Sequence, residues 1–326
     1  MPSAEPAAPA GGLRYEQLQR LGPPGGWRCL LGLGLLVLLF VVGQLVAVNV
    51  TAVGLLLRGV PAGEVADRLS GDTATPSFLT VVNLGWALAI PAVWLVARLL
   101  HRMRPGWVAS VAGRIRWRWL LACLGLAVVS LALTLVVGSF LPDQGAGTIE
   151  TDGGLNAWTP MVRDFLLVVV LLTPLQAAGE EYVFRGYLAQ SFGSLTSRFG
   201  ARASAAVAVV VPAFVFALAH GLGQDVPIFF DRFAFGVVAG VLVLLTGGLE
   251  AGIAMHVLNN FLAFGLALAF GDMTEALTPT DGTWWAVPVT LTQSVSYLAL
   301  TVWVARRTGV RARTSGGILE ARQPRV

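Results

Sequence analysis

The sequence contains no lysine and few charged residues of any kind. Charged residues make up 12% of the 326 positions, whereas hydrophobic residues make up 56%. A soluble domain usually carries roughly a quarter charged residues. This shortage excludes an ordinary soluble protein, because so few charges cannot cover a surface that faces water on all sides.

Cysteine is equally scarce, and the two that occur exclude a disulfide framework. Cys29 and Cys123 both fall inside apolar segments, without the spacing of a disulfide scaffold or a metal cluster. The 22 basic residues, all arginine, lie mainly at the ends of apolar blocks. Since membrane proteins place arginine there, the net charge of +4 does not indicate nucleic-acid binding.

Long apolar blocks are what the sequence has in abundance. Blocks of about 20 residues are long enough to cross a bilayer core of ~30 Å as helices. The hydropathy pattern therefore predicts an all-α, polytopic membrane bundle of about eight transmembrane helices. The predicted spans are residues 29–57, 77–100, 117–141, 158–190, 203–221, 227–246, 250–271 and 284–305.

The charges of the connecting loops alternate in sign along the chain. Arginines concentrate after the second span, after the fourth and in the C-terminal tail, whereas the intervening loops are acidic. The positive-inside rule then places both termini in the cytoplasm. His101 lies in the first arginine-rich loop, and we expect it to be a solvated interfacial residue. The exclusive use of arginine fits a GC-rich coding bias and favours a bacterial cytoplasmic membrane.

The composition divides the chain into three parts. Residues 1–26 are rich in Pro, Ala and Gly and predict a disordered cytoplasmic tail. Residues 27–307 form the predicted transmembrane domain, and residues 308–326 a basic cytoplasmic tail. Nothing in the sequence indicates an oligomeric state.

Two adjacent carboxylates interrupt the fourth span. Charged residues inside apolar segments are costly and are therefore candidates for a functional site. Glu181 and Arg185 are four apart and predict an ion pair on one helical face. Glu180 points about 100° away around the helix, which leaves it free to face a cavity. The structural alternative is a salt-bridged helix end at the cytoplasmic surface.

Polar residues also interrupt the fifth and seventh spans. His220 ends the fifth span, with Phe216 one turn earlier to pack against its imidazole. His256 and Asn260 are four apart in the seventh span and share a face. Each alone is compatible with a buried structural histidine or with hydrogen bonds that hold membrane helices together. Combined with the carboxylates, they supply a base for water and donors for an oxyanion.

The order of these motifs resembles a known family. Glu-Glu-x-x-x-Arg, Phe-x-x-x-His and His-x-x-x-Asn on successive membrane helices are similar to the CAAX prenyl endopeptidase and bacteriocin-processing family of intramembrane proteases, which includes the Ras-converting CAAX endopeptidase. The resemblance covers roughly residues 155–270. It implies that Glu180 and His220 activate water and that His256 and Asn260 stabilise the oxyanion. The supporting residues are Glu181, Arg185 and Phe216.

The resemblance implies an intramembrane endopeptidase that acts on a membrane-associated peptide or protein within the lipid bilayer. A mechanism without a cofactor is favoured, since no helical His-Glu-x-x-His motif occurs. A zinc ion held by Glu180, His220 and His256 is the alternative. Two other functions stay open: a non-catalytic scaffold or bacteriocin-immunity protein, and a transporter that uses these residues as a proton relay.

The predicted topology separates two of the candidate residues. It places Glu180 near the cytoplasmic end of the fourth span and His220 near the opposite end of the fifth. The two could approach each other only if the helix of Glu180 continues through Tyr187, or if the fifth span is shifted or broken at Pro212.

Overall fold

The computed structural model describes residues 12–141, 154–221, 223–277 and 282–316. These residues form helices and, apart from two isolated bridges, no β-structure. The α-helices are α1 (Trp27–Leu57), α2 (Ala62–Leu69), α3 (Pro76–Leu99), α4 (Gly106–Ala109), α5 (Trp117–Gly138), α6 (Pro160–Glu181), α7 (Ala189–Thr196), α8 (Ala201–Ala219), α9 (Val226–Thr246), α10 (Glu250–Phe270), α11 (Met273–Leu277) and α12 (Ala286–Thr308).

Eight helical segments are long and apolar enough to cross a membrane. They are α1, α3, α5, α8, α9, α10, α12 and one continuous helix, Pro160–Phe199. This confirms the predicted all-α bundle, and the chain is an integral membrane protein. Three spans begin at side-chain caps, since Thr75, Thr159 and Asp225 each accept a hydrogen bond from the backbone amide three residues later.

The fourth span is longer than the sequence predicted. It continues from α6 through a π-helical segment, Tyr182–Leu188, into α7, and runs for 40 residues to Phe199. Helix α8 then returns along the second half of this helix only. Near its start the Ser204 hydroxyl donates to the Gly193 carbonyl at 2.7 Å, and near its end the Phe216 ring lies 5.3 Å from that of Phe184.

This geometry reduces the separation that the simple topology predicted. Glu180 lies at the middle of the long helix, and α8 brings His220 back toward the same level. The helix of Glu180 continues through Tyr187, while α8 runs unbroken through Pro212. The first of the two predicted conditions is therefore the one that is met.

Helix α6 packs between α3 and α10. Gly179 permits this packing, because a Cβ atom there would collide with the Trp86 carbonyl of α3. The close approach of the two helices therefore depends on a glycine next to Glu180. This close packing keeps the carboxylates of Glu180 and Glu181 in the interior of the protein.

The described part of the N-terminal tail is ordered. Residues 12–26 differ from the predicted disordered tail because Tyr15–Leu21 forms a 3₁₀-helix, and Leu13 and Tyr15 are fully buried. Leu13 also pairs with Thr314, since the Leu13 amide donates to the Thr314 hydroxyl and the Thr314 amide to the Leu13 carbonyl. Residues 1–11 lie outside the described residues.

His101 is buried, and the prediction that it is solvated is wrong. Arg102 has a φ of 49°, so the chain turns sharply and carries the imidazole inward. The side chain is 3% exposed, and its Nε2 lies 2.9 Å from the Tyr187 hydroxyl. Burial, reinforced by the nearby Arg28, lowers the pKa of His101 to about 4.

Candidate active site

A buried ion pair anchors the centre of the site. Glu181 and Arg185 are 0% and 1% exposed, and Oε1 of the carboxylate lies 2.9 Å from Nη1 of the guanidinium. The Arg185 guanidinium also lies over the Phe216 ring, 4.1 Å from its centroid. The predicted i, i+4 pair is thus formed inside the bundle, not at a helix end on the surface.

The neighbouring carboxylate, Glu180, is held differently. It is 4% exposed, and its Oε1 accepts a hydrogen bond from the Gln176 side-chain amide one turn earlier. Its Oε2 is buried and has no hydrogen-bond partner among the described residues. An ionised oxygen without a partner is costly in the interior. Glu180 therefore has one oxygen fixed by Gln176 and one open oxygen, which no hydrogen bond from the described residues engages.

His256 lies between the two carboxylates. Its Nδ1 is 3.1 Å from Oε1 of Glu181, and its Nε2 is 3.7 Å from the open Oε2 of Glu180. A ring that donates its Nδ1 proton to Glu181 is fixed in orientation, with Nε2 directed toward Glu180. Gly252, one turn earlier on α10, leaves room for this arrangement, because a Cβ there would lie 2.6 Å from Oε2 of Glu181.

Asn260 joins the site through a residue that the sequence analysis missed. Its side-chain amide donates to Oε1 of Gln176 at 3.0 Å, and Gln176 donates in turn to Glu180. The missed signal was a polar side chain one turn before Glu180 in an apolar helix. Gln176 thus connects the first and third sequence motifs.

His220 ends α8 and stands apart from the carboxylates. Its Nδ1 is 2.8 Å from the Phe216 carbonyl, and its ring lies 4.5 Å from the Phe216 ring. Phe216 in turn lies 6.0 Å from the ring of His256. No hydrogen bond or ion pair in the described part of the chain joins His220 to Glu180, and the Phe216 ring packs against both His220 and His256.

Comparison with known proteins matches the part of the chain that carries these residues. Residues 162–262 match the family model of Type II CAAX prenyl endopeptidase Rce1-like proteins. The match confirms the resemblance predicted from the three motifs, and this Rce1-like segment contains every predicted site residue. The chain is also 22% identical over 233 residues to the uncharacterized protein YyaK of Bacillus subtilis strain 168, across 68% of this chain and 74% of that protein. No solved structure matches the chain.

The Rce1-like segment also contains a clamp around His220. The Gln224 side-chain amide donates to the carbonyls of Ala217 and Gly221 at 2.7 and 2.8 Å. Its Oε1 accepts from Nη1 of Arg232 at 2.9 Å, and the same Nη1 lies 3.4 Å from the His220 carbonyl. Sequence reasoning missed both clamp residues, since neither carries a motif and only the turn after α8 brings them together.

The predicted zinc ligands do not form a three-residue site in the Rce1-like segment. Within the described ranges, no group of three His, Cys, Asp or Glu side chains is arranged to hold a metal ion. Glu180 and His256 approach each other, but His220 does not join them. Zinc dependence remains the alternative that the sequence left open.

Proposed function

We propose that this protein is an intramembrane endopeptidase that hydrolyses a peptide bond of a membrane-associated peptide or protein. One observation carries the proposal: the buried, unpartnered Oε2 of Glu180 lies 3.7 Å from Nε2 of a histidine that Glu181 holds in place. The match of residues 162–262 to an endopeptidase family supports the same reaction.

Glu180 acts as the general base in this proposal. Its Oε2 takes a proton from a water molecule, and the water oxygen forms a bond to the peptide carbonyl carbon. The hydrogen bond from Gln176 to the other oxygen directs Oε2 toward the substrate. His220 assists as an acceptor, because its Nδ1 is engaged by the Phe216 carbonyl and its Nε2 stays available.

His256 and Asn260 stabilise the oxyanion in this proposal. His256 donates to the oxyanion from Nε2, which carries a proton in this step besides the Nδ1 proton bound to Glu181. The carboxylates of Glu180 and Glu181 and the cation of Arg185 sum to one negative charge. Once Glu180 has taken the water proton, this sum falls to zero, which makes a negative oxyanion less costly. The amide of Asn260 has a second N–H besides the one bound to Gln176, and that N–H is available to the oxyanion.

Collapse of the tetrahedral intermediate completes the reaction. Glu180 returns its proton to the amide nitrogen as the carbon–nitrogen bond breaks, which releases a carboxylic acid and an amine and restores the base. Glu181 and Arg185 exchange no proton. They hold His256 and Phe216 in position.

The test is cleavage of a library of membrane-anchored peptides by the purified full-length protein, with products identified by mass spectrometry. We expect Glu180→Gln to abolish cleavage without loss of folding, because glutamine keeps the shape but cannot accept the proton. Loss of a general base typically costs about 10²- to 10⁴-fold in rate. Glu250→Gln is the matched control, since Glu250 is a fully buried carboxylate paired with Arg116 outside the site.

Two outcomes would contradict the proposal. Equal cleavage by the wild type and Glu180→Gln would remove Glu180 from the chemistry. Equal loss of cleavage in folded Glu180→Gln and folded Glu250→Gln would show that the loss follows from removing any buried carboxylate, not from removing a general base. A parallel arm with a chelator, followed by added zinc, separates the metal-free mechanism from the zinc alternative.

A further inference from the structure

A cavity lies outside the candidate active site. It measures about 790 Å³ and lies between α3 and the start of α5. Trp94 of α3, Trp117 of α5 and Tyr182 of the π-helical segment contribute to its walls. Its volume falls within the range of pockets that bind small molecules.

Three arginines line the same cavity, and they are used differently. The Arg116 guanidinium donates to both carboxylate oxygens of Glu250 and to the carbonyls of Thr246 and Arg311. Arg114 and Arg118 are exposed, and their guanidinium groups have no ion pair or hydrogen bond among the described residues. The cavity thus presents the unpaired guanidinium groups of Arg114 and Arg118 beside that of Arg116, which is paired within the protein.

The aromatic residues place this cavity at the level of the membrane interface. Trp117 is the first residue of α5 and is 69% exposed, and Trp94 is five residues from the end of α3 and 41% exposed. Tryptophan is enriched where hydrocarbon meets the lipid headgroups. Arginine and tryptophan side by side at such a level match a molecule that is anionic at one end and apolar at the other.

We infer that this cavity binds an anionic phospholipid. The phosphate lies against Arg114 and Arg118, where each guanidinium offers several donors. The adjoining part of the acyl chain packs along Trp94 and Tyr182. This inference does not depend on the proposed peptidase activity. It places the lipid next to the π-helical segment, one residue along the chain from Glu181.

The test is native mass spectrometry of the detergent-purified full-length protein titrated with phosphatidylglycerol or with phosphatidylcholine of the same acyl chains. We expect one molecule of phosphatidylglycerol to bind preferentially. Each basic residue near an anionic lipid contributes roughly fivefold in affinity, so Arg114→Gln/Arg118→Gln should weaken binding by about 25-fold. Both residues are exposed, so the double variant should fold normally.

A charge-matched control separates this site from general attraction. Arg306→Gln/Arg307→Gln removes two exposed arginines from the end of α12, where Arg307 lies 5.8 Å from the Trp303 ring. We expect it to bind phosphatidylglycerol like the wild type. Equal losses in both double variants, or no loss in Arg114→Gln/Arg118→Gln, would overturn the inference. The inference would also be overturned if water-soluble glycerol phosphate competed as strongly as the lipid, because the site would then bind the phosphate and not the acyl chain.

Discussion

Removing Arg185 should destabilise the protein far more than removing an exposed arginine at the same helical spacing. Arg185 is 1% exposed and pairs at 2.9 Å with the fully buried Glu181. Arg185→Met would leave that carboxylate in the bundle without its cation. Loss of one partner from a buried ion pair typically costs about 3–5 kcal/mol. We expect the free energy of unfolding to fall by about that amount.

The double variant Glu181→Gln/Arg185→Met tests the reason for this loss. If the cost comes from a stranded charge, removal of both charges should recover much of the stability lost in Arg185→Met. Replacing both members of a buried pair by neutral residues is often close to neutral. Some loss should persist, because the guanidinium also stacks on Phe216 and Glu181 also receives the His256 hydrogen bond.

The assay is equilibrium unfolding in mixed micelles, followed by tryptophan fluorescence. Arg68→Met is the matched control, because Arg68 and Glu64 form an i, i+4 pair at 3.2 Å with side chains 46% and 55% exposed. Such surface pairs contribute about 0.3–0.5 kcal/mol. The reasoning fails if Arg185→Met costs no more than Arg68→Met. It also fails if the double variant loses as much stability as the single variants Glu181→Gln and Arg185→Met combined.

Three further predictions concern the surroundings of the site. Gln176→Ala should lower kcat roughly tenfold to a hundredfold with little change in KM, because Glu180 loses the hydrogen bond that orients its carboxylate. A change in KM alone would contradict this role. Gln224→Ala should lower kcat by a similar factor while the melting temperature stays near that of the wild type, because it frees the turn that carries His220. His101→Gln should flatten the loss of thermal stability between pH 7 and pH 4.5. The unfolded histidine takes up its proton near pH 6.5 and the folded one only near about 4, so acid favours unfolding of the wild type by up to about 3 kcal/mol. Identical pH profiles for His101→Gln and the wild type would refute the last prediction.

Apolar length was enough to predict the membrane spans. A bilayer demands about 20 apolar residues for each crossing, and this requirement is local in the sequence. The Glu181–Arg185 pair was predictable for a similar reason, since the spacing of four residues fixes a shared helical face. The order of the three motifs then led to the family that residues 162–262 match.

Features that depend on contacts between distant segments were not predictable in this way. The burial of His101, and of Leu13 and Tyr15, arises from packing against other parts of the chain, so composition misled both predictions. The domain boundaries at residues 26 and 308 and the cytoplasmic position of both termini stay predictions.

The sequence alone determined that this is a bundle of eight membrane helices with costly polar groups in three of them, because hydropathy and helical spacing are local properties. Only the tertiary structure decided how those groups combine. Helix α8 returns along half of the long fourth span, α10 inserts His256 between two carboxylates, and Gln176 bridges Glu180 to Asn260. Each relation joins residues on different helices, and interhelical packing at positions such as Gly179 and Gly252 fixes it.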